Sequence, residues 1–118
     1  GYLFIKDRLK DVVITGGFNV YPADVEGVLV RHPAVYESVV FGVADDKWGE
    51  RVEAAVQLRP GATAEPAELA AFVKERLGSV KAPKIVHLVE DLPRNHLGKV
   101  LRREVRARFD RPERRQAV

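Results

Sequence analysis

Val35 to Leu58, VYESVVFGVADDKWGERVEAAVQL, is the stretch that decides the fold. Val35 to Val43 is rich in valine and phenylalanine and reads as a strand. Ala44 to Gly49 is a polar connection that holds the chain's single tryptophan, Trp48. Arg51 to Leu58 then alternates, with Val52, Ala54, Val56 and Leu58 on one face and Glu53 and Gln57 on the other. That period of two predicts a strand with one apolar and one polar face.

On the carboxyl side, Pro60-Gly61 closes the second strand and Glu65 to Leu77 repeats its apolar residues at helical spacing: Leu69, Phe72, Val73 and Leu77. Gly78 is a natural stop, and Ile85 to Val89 is a third strand. Asp91 to Gly98 reads as a loop. Val100 to Phe109 reads as a helix with Leu101, Val105 and Phe109 at i, i+4 and i+8. On the amino side, Tyr2 to Lys6 reads as a short strand and Asp7 to Asp11 as a charged break. Val12 to Thr15 and Phe18 to Tyr21 flank Gly16-Gly17 as a hairpin. Pro22 suits the first position of a helix that carries Val25, Val28 and Leu29 and ends at His32-Pro33. The expected fold is α+β: a sheet of about three strands with helices packed on it, preceded by a short β-hairpin.

The 118 residues are 46% hydrophobic, which fits one compact domain with a core. There is no cysteine, which excludes disulfides, thiolate metal sites and a cysteine nucleophile. Val39 to Ala44 is the longest apolar run, far too short to span a bilayer. Lys6, Asp7, Arg8 and Lys10 interrupt any signal-peptide pattern, and the absence of cysteine suits a reducing cytoplasm, which is the expected location. The chain starts at Gly1 inside an apparent strand and reads as a piece of a longer protein. Charge is uneven: Lys99 to Val118 holds eight Lys/Arg against three Asp/Glu, a net +5, which leaves −2 for the rest of a +3 chain. A basic nucleic-acid or protein-binding module is therefore one reading. A solvated helix with a flexible basic tail from 110 to 118 is the simpler one, because no aromatics interleave the arginines.

Several standard chemistries fail on spacing. Gly98-Lys99 is not a P-loop, since Pro93 and Val100 stand where glycine and Ser/Thr belong. Ser38 and Ser79 lie in no nucleophile turn. His32, His87 and His96 lack metal-ligand spacing, so no metal site is expected. Asp45-Asp46 and Glu90-Asp91 read as turn residues. What remains is a set of loop features: Arg8 with Lys10, Gly16-Gly17, Trp48-Gly49, Lys81 with Lys84, and Lys99. Unaided, they point to a surface that meets anionic, phosphorylated ligands at junctions where a backbone can hinge.

Four segments then match one family in order. Asp7-Arg8-Leu9-Lys10-Asp11 resembles the hinge motif of acyl-CoA synthetases of the adenylate-forming superfamily. Gly16-Gly17-Phe18-Asn19-Val20-Tyr21-Pro22 with Asp24-Val25-Glu26 resembles the next motif. Gly42-Val43-Ala44-Asp45 with Trp48-Gly49-Glu50 resembles the third, and Pro93 to Lys99 running into Arg102-Arg103 the closing one. The resemblance covers Gly1 to about Phe109. It implies the end of a large N-terminal domain and a hinge at 1–10, then a C-terminal cap domain at 11–109.

The resemblance also implies roles. The cap would swing between a pose that makes an acyl-adenylate and one in which coenzyme A attacks it. Lys99 would reach the substrate carboxylate and the α-phosphate in the first pose. Arg8 would bind the nucleotide ribose, and Lys10 would be the hinge. Gly16 and Gly17 would face the pantetheine arm in the second pose. Trp48 would lie near the coenzyme A channel or serve only in packing. Lys81 and Lys84 would meet coenzyme A phosphates, although Val80 and Ala82 replace an aromatic and an arginine of some members. Implied cofactors and substrates are ATP, Mg²⁺, coenzyme A and a carboxylic acid, shared with the protein's own N-terminal domain. Delivery to a carrier protein is the nearest alternative. A lysine acyltransferase and deacylase acting on Lys99 are further possible partners.

Overall fold

The computed structural model describes residues 12–94, 96–97 and 100–109. The readings of Tyr2 to Lys6 as a strand, of Asp7 to Asp11 as a hinge segment and of 110–118 as a tail lie outside these residues.

Two short strands, β1 (Val13–Thr15) and β2 (Phe18–Val20), form an antiparallel hairpin in which Val13 pairs with Val20 and Thr15 with Phe18. Its two turn residues, Gly16 (φ 57°) and Gly17 (φ 85°), are both left-handed. That is the turn whose twist matches a two-residue hairpin, and glycine adopts it without steric cost. Helix α1 (Pro22–Leu29) follows, with Pro22 in its first turn and Val25, Val28 and Leu29 buried.

The main sheet has the order β3-β4-β5, with β3 at Val35–Asp45, β4 at Gly49–Leu58 and β5 at Ile85–Val89. β3 and β4 are antiparallel; β5 runs parallel to β4, and α2 (Pro66–Leu77) makes the crossover between them. The parallel pair needs such a connection, because a tight turn cannot reverse the chain twice. Both β3 and β4 run further toward Trp48 than their apolar patterns suggest, leaving only residues 46–48 in the turn. The last helix, α3 (Arg102–Phe109), begins two residues later than its apolar spacing predicts, since Val100 is bridged to Arg94.

The sheet is covered on both faces. Val40, Val52, Ala54, Val56 and Val86 join α1, α2 and the hairpin in one core; Leu29, Leu69 and Val73 are its helical contributions. On the other face Val39, Phe41, Val43 and Ala55 pack with Leu92 and Val105, with Val100 and Phe109 at the margin. This second layer corrects the expectation for Glu53. The alternation in β4 is real, but α3 covers the face that was read as polar, and Glu53 is fully buried.

The hairpin is fastened to the sheet through Glu50. Its Oε1 accepts the Ile14 N–H at 2.9 Å, and its Oε2 lies 3.6 Å from Arg106 Nη2. Gly42 makes room for this: a Cβ there would sit 2.8 Å from Glu50 Oε2 and 3.0 Å from Val13 Cγ1. Gly42→Ala is therefore expected to push Glu50 off Ile14 and to destabilise the chain by about 1–3 kcal/mol, the usual scale of overpacking. A thermal melt checks this; an unchanged midpoint would mean that Glu50 moves without loss.

Candidate functional site

The β3–β4 turn is built by Asp45. Its Oδ1 accepts the N–H of Lys47 (2.8 Å) and of Trp48 (3.0 Å), while Oδ2 meets Arg51 Nη1 at 3.1 Å. Desolvation pulls the Asp45 carboxyl upward, but the Trp48 amide, the Arg51 guanidinium and the Lys47 amide outweigh it and hold the pKa below its ordinary value. Gly49, at φ 85°, completes the turn. With the turn set, the Trp48 carbonyl accepts the Gly16 N–H at 2.9 Å, which docks the hairpin tip against the tryptophan.

One cluster of anticipated residues thus comes together. The Trp48 indole stands over Gly16, where a Cβ would be 3.3 Å from its ring. Gly17 has no atom within 4 Å of where its Cβ would be, so the space above it is open. Lys84 Nζ lies 5.6 Å and Lys47 Nζ 5.0 Å from the Trp48 ring centroid, both within cation–π range. Lys84 is anchored by its own N–H to the Val52 carbonyl at 2.7 Å. Lys81 lies half-buried in the same α2–β5 connection. The cluster presents open backbone, an exposed indole and two cations, a surface suited to a slender acyclic group and anionic phosphate.

A second cluster forms at the other end of β3. Arg94 Nη2 pairs with Glu37 Oε1 at 2.6 Å and approaches Gln57 Oε1 at 3.5 Å. The Glu37 hydrogen bond comes first in holding the Arg94 guanidinium above its ordinary pKa. Arg94 and Val100 are bridged antiparallel, and Leu101 N–H donates to the Pro93 carbonyl at 2.9 Å. The segment that contains Lys99 is therefore closed at its base. Lys99 itself, like Arg8 and Lys10, lies outside the described residues. Glu37, which holds Arg94, stands eight residues before Asp45, which holds the Trp48 turn. At about 3.3 Å per strand residue the two anchors are roughly 26 Å apart.

Beneath α3, and missed from sequence, is a buried polar network. Glu53 accepts from Arg51 Nε at 2.7 Å, and its other oxygen is 2.7 Å from His87 Nε2. The Glu53 contact comes first in raising the Arg51 pKa. His87 stacks on Phe109 of α3 at 3.9 Å between ring centroids. The network links the turn at Asp45 to the underside of the last helix. An alternating strand gives no sign of it, since a carboxylate under a helix and one in water occupy the same place in the pattern. Among the described residues no three His, Asp or Glu side chains converge to hold a metal. No helix there is long and apolar enough to cross a membrane.

Residues 24–99 match the family profile of the AMP-binding enzyme C-terminal domain. The chain is 50% identical to the medium/long-chain-fatty-acid–CoA ligase FadD8 of Mycobacterium tuberculosis over 92% of its own length and 20% of that protein's. It is 48% identical to the fatty acid–[acyl-carrier-protein] ligase ScoC of Streptomyces coeruleorubidus, covering 92% of this chain and 21% of that one. The fold superposes on apo MatB from Rhodopseudomonas palustris with a TM-score of 0.81 and 44% identity, over 86% of this chain and 20% of MatB. The chain thus spans about a fifth of the relatives it matches. It belongs to the AMP-binding enzyme C-terminal domain family of the adenylate-forming superfamily.

Proposed function

We propose that this chain is the mobile C-terminal cap of an ATP-dependent, AMP-forming acid–CoA ligase. Lys99 serves the first half-reaction, and the Gly16-Gly17/Trp48/Lys84 surface serves the second. The observation that carries this reading is the separation of the two clusters. With anchors roughly 26 Å apart on one sheet, the two clusters stand at opposite ends of β3, which favours their serving a reaction centre in succession. A cap that turns can present each end in succession.

In the first pose a carboxylate oxygen attacks the α-phosphorus of ATP and pyrophosphate leaves. Two anions must approach, and the Lys99 ammonium offsets their repulsion and the charge that builds on the phosphoryl oxygens. Arg8 holds the ribose hydroxyls, and Mg²⁺ accompanies the ATP phosphates. Rotation about Lys10 then withdraws Lys99. In the second pose the thiol of coenzyme A, having lost its proton, attacks the acyl carbonyl and AMP leaves. Gly17 leaves room for the pantetheine arm, Trp48 borders it, and Lys84 and Lys81 meet the phosphates of its nucleotide end. The acid pocket and most of the ATP site belong to the larger N-terminal domain, so the fragment by itself turns nothing over. Acylation of Lys99 would remove its charge and stop the first step alone.

A leucine at Gly17 tests the second surface. It fills the open space and strains a left-handed backbone position. In the full-length ligase Gly17→Leu is expected to slow thioester formation from supplied acyl-adenylate by about 10-fold or more, the scale of a misplaced reactant, with adenylate formation little changed. Equal slowing of both would place Gly17 in folding rather than in acceptor binding. One second reading is favoured by the 48% identity to ScoC, whose name gives a carrier protein as acceptor: the same surface then receives a carrier-borne phosphopantetheine. Comparing free coenzyme A with a carrier protein as acceptor separates the two.

A further inference from the structure

We infer that Arg102, clamped by Glu26 onto the outer edge of β3, is the positioning residue that sets the reach of Lys99. This rests on the reading of Lys99 as the adenylation lysine. β3 is an edge strand, so the outward backbone groups at Val40 need partners from beyond the sheet. Glu26 Oε2 accepts the Val40 N–H at 2.8 Å. Arg102 Nε donates to the Val40 carbonyl at 3.1 Å. Arg102 Nη2 closes the ring by donating to both Glu26 oxygens, at 2.7 and 2.9 Å. Both side chains are more than two-thirds shielded from solvent, 29% exposed for Arg102 and 21% for Glu26.

The clamp stands where the Lys99 segment returns to the domain. Arg102 is the first residue of α3 and follows Lys99 by three positions. The chain between them can stretch no further than about 11 Å. Val100 is held by its bridge to Arg94, and Leu101 by its bond to Pro93. Arg102 adds the only one of these anchors that reaches the far side of the sheet, to α1. An ammonium that works by charge depends on its distance from the reacting anions, and a shift of about 1 Å can cost as much as 10²-fold. The geometry requires a planar fork that donates in two directions, to a carbonyl and to a carboxylate; an ammonium on a flexible stem does not reproduce it.

The test uses the full-length ligase with Arg102→Lys and Glu26→Gln, which retain side-chain bulk, and measures each half-reaction separately. Arg102→Lys is expected to slow acyl-adenylate formation by about 10-fold and to leave thioester formation from supplied acyl-adenylate within about 2-fold. Glu26→Gln is expected to do the same to a smaller degree. In a Lys99→Ala background Arg102→Lys should cause no further loss, because a residue that acts through Lys99 has nothing left to position. Equal loss in both half-reactions, or the same factor lost again without Lys99, would make Arg102 merely structural and overturn the inference. So would Arg102→Lys sparing adenylation while Lys99→Ala abolishes it. If Lys99→Ala itself spares adenylation, the Lys99 reading falls and the inference falls with it.

Discussion

In the full-length ligase, Lys99→Ala is expected to lower the rate of acyl-adenylate formation by about 10²–10³-fold, the usual effect of removing one preorganised charge from a transition state. Thioester formation from supplied acyl-adenylate should stay near the parent rate. The asymmetry is the informative part. The first half-reaction brings carboxylate and phosphate together and needs a cation between them. The second joins a thiol to an already activated carbonyl and, in the proposed reading, would use the other end of the domain, where Trp48 and Gly17 lie. Lys99→Arg would keep the charge but replace a compact ammonium by a broad planar group, so only partial recovery is expected. Pyrophosphate release and thioester formation, each followed alone, give the two rates.

The largest effect on stability is expected at Glu53. Its carboxylate is fully buried and binds Arg51 and His87 at 2.7 Å each. Glu53→Ala removes the partner and leaves the Arg51 guanidinium buried beside Asp45 alone. Breaking a buried ion pair from one side costs about 3–5 kcal/mol. With a urea slope of about 1–3 kcal/mol per molar for a chain of this size, the unfolding midpoint should fall by at least about 1 M. Arg51 Nη2 already lacks a hydrogen-bond partner among the described residues, so the site has no spare acceptor to compensate. A change within about 0.5 kcal/mol, the range for exposed positions, would show that Glu53 is not the anchor of this network. The loss should also reach function, since the network runs from the Trp48 turn to Phe109 on α3.

The contrast between Glu53 and Gln57 shows where sequence stops. Both occupy the same face of an alternating strand. One ends under α3 and the other, half-buried, at the rim beside Arg94. Periodicity reports which residues share a face, but not what later covers it. The elements that depend on local chemistry were legible: the glycine hairpin, Pro22 opening α1, Gly78 ending α2 and the alternation of β4. The family resemblance implied that Gly16, Gly17, Trp48, Lys81 and Lys84 share one ligand, but the contact of Trp48 with Gly16 and its approach to Lys84 came only from the fold. The tertiary links were not legible. Glu26 reaches Arg102 across 76 positions and Glu50 reaches Ile14 across 36. Both stand in motifs that carry the family resemblance, yet neither segment names its distant partner, and only the folded sheet turns each acid into a fastening. Gly42 is similar: inside a valine-rich strand its reason is the Glu50 carboxylate and Val13, which a Cβ would touch.

That the two ends of β3 serve different half-reactions is the proposal on which the functional account stands. It is tested most directly by measuring both half-reactions side by side in Lys99→Ala and Gly17→Leu variants of the full-length ligase. The account predicts crossed losses: adenylate formation fails in the first variant and thioester formation in the second, each sparing the other step. If both variants lose both steps in equal proportion, the two surfaces act in one pose and the alternation is contradicted.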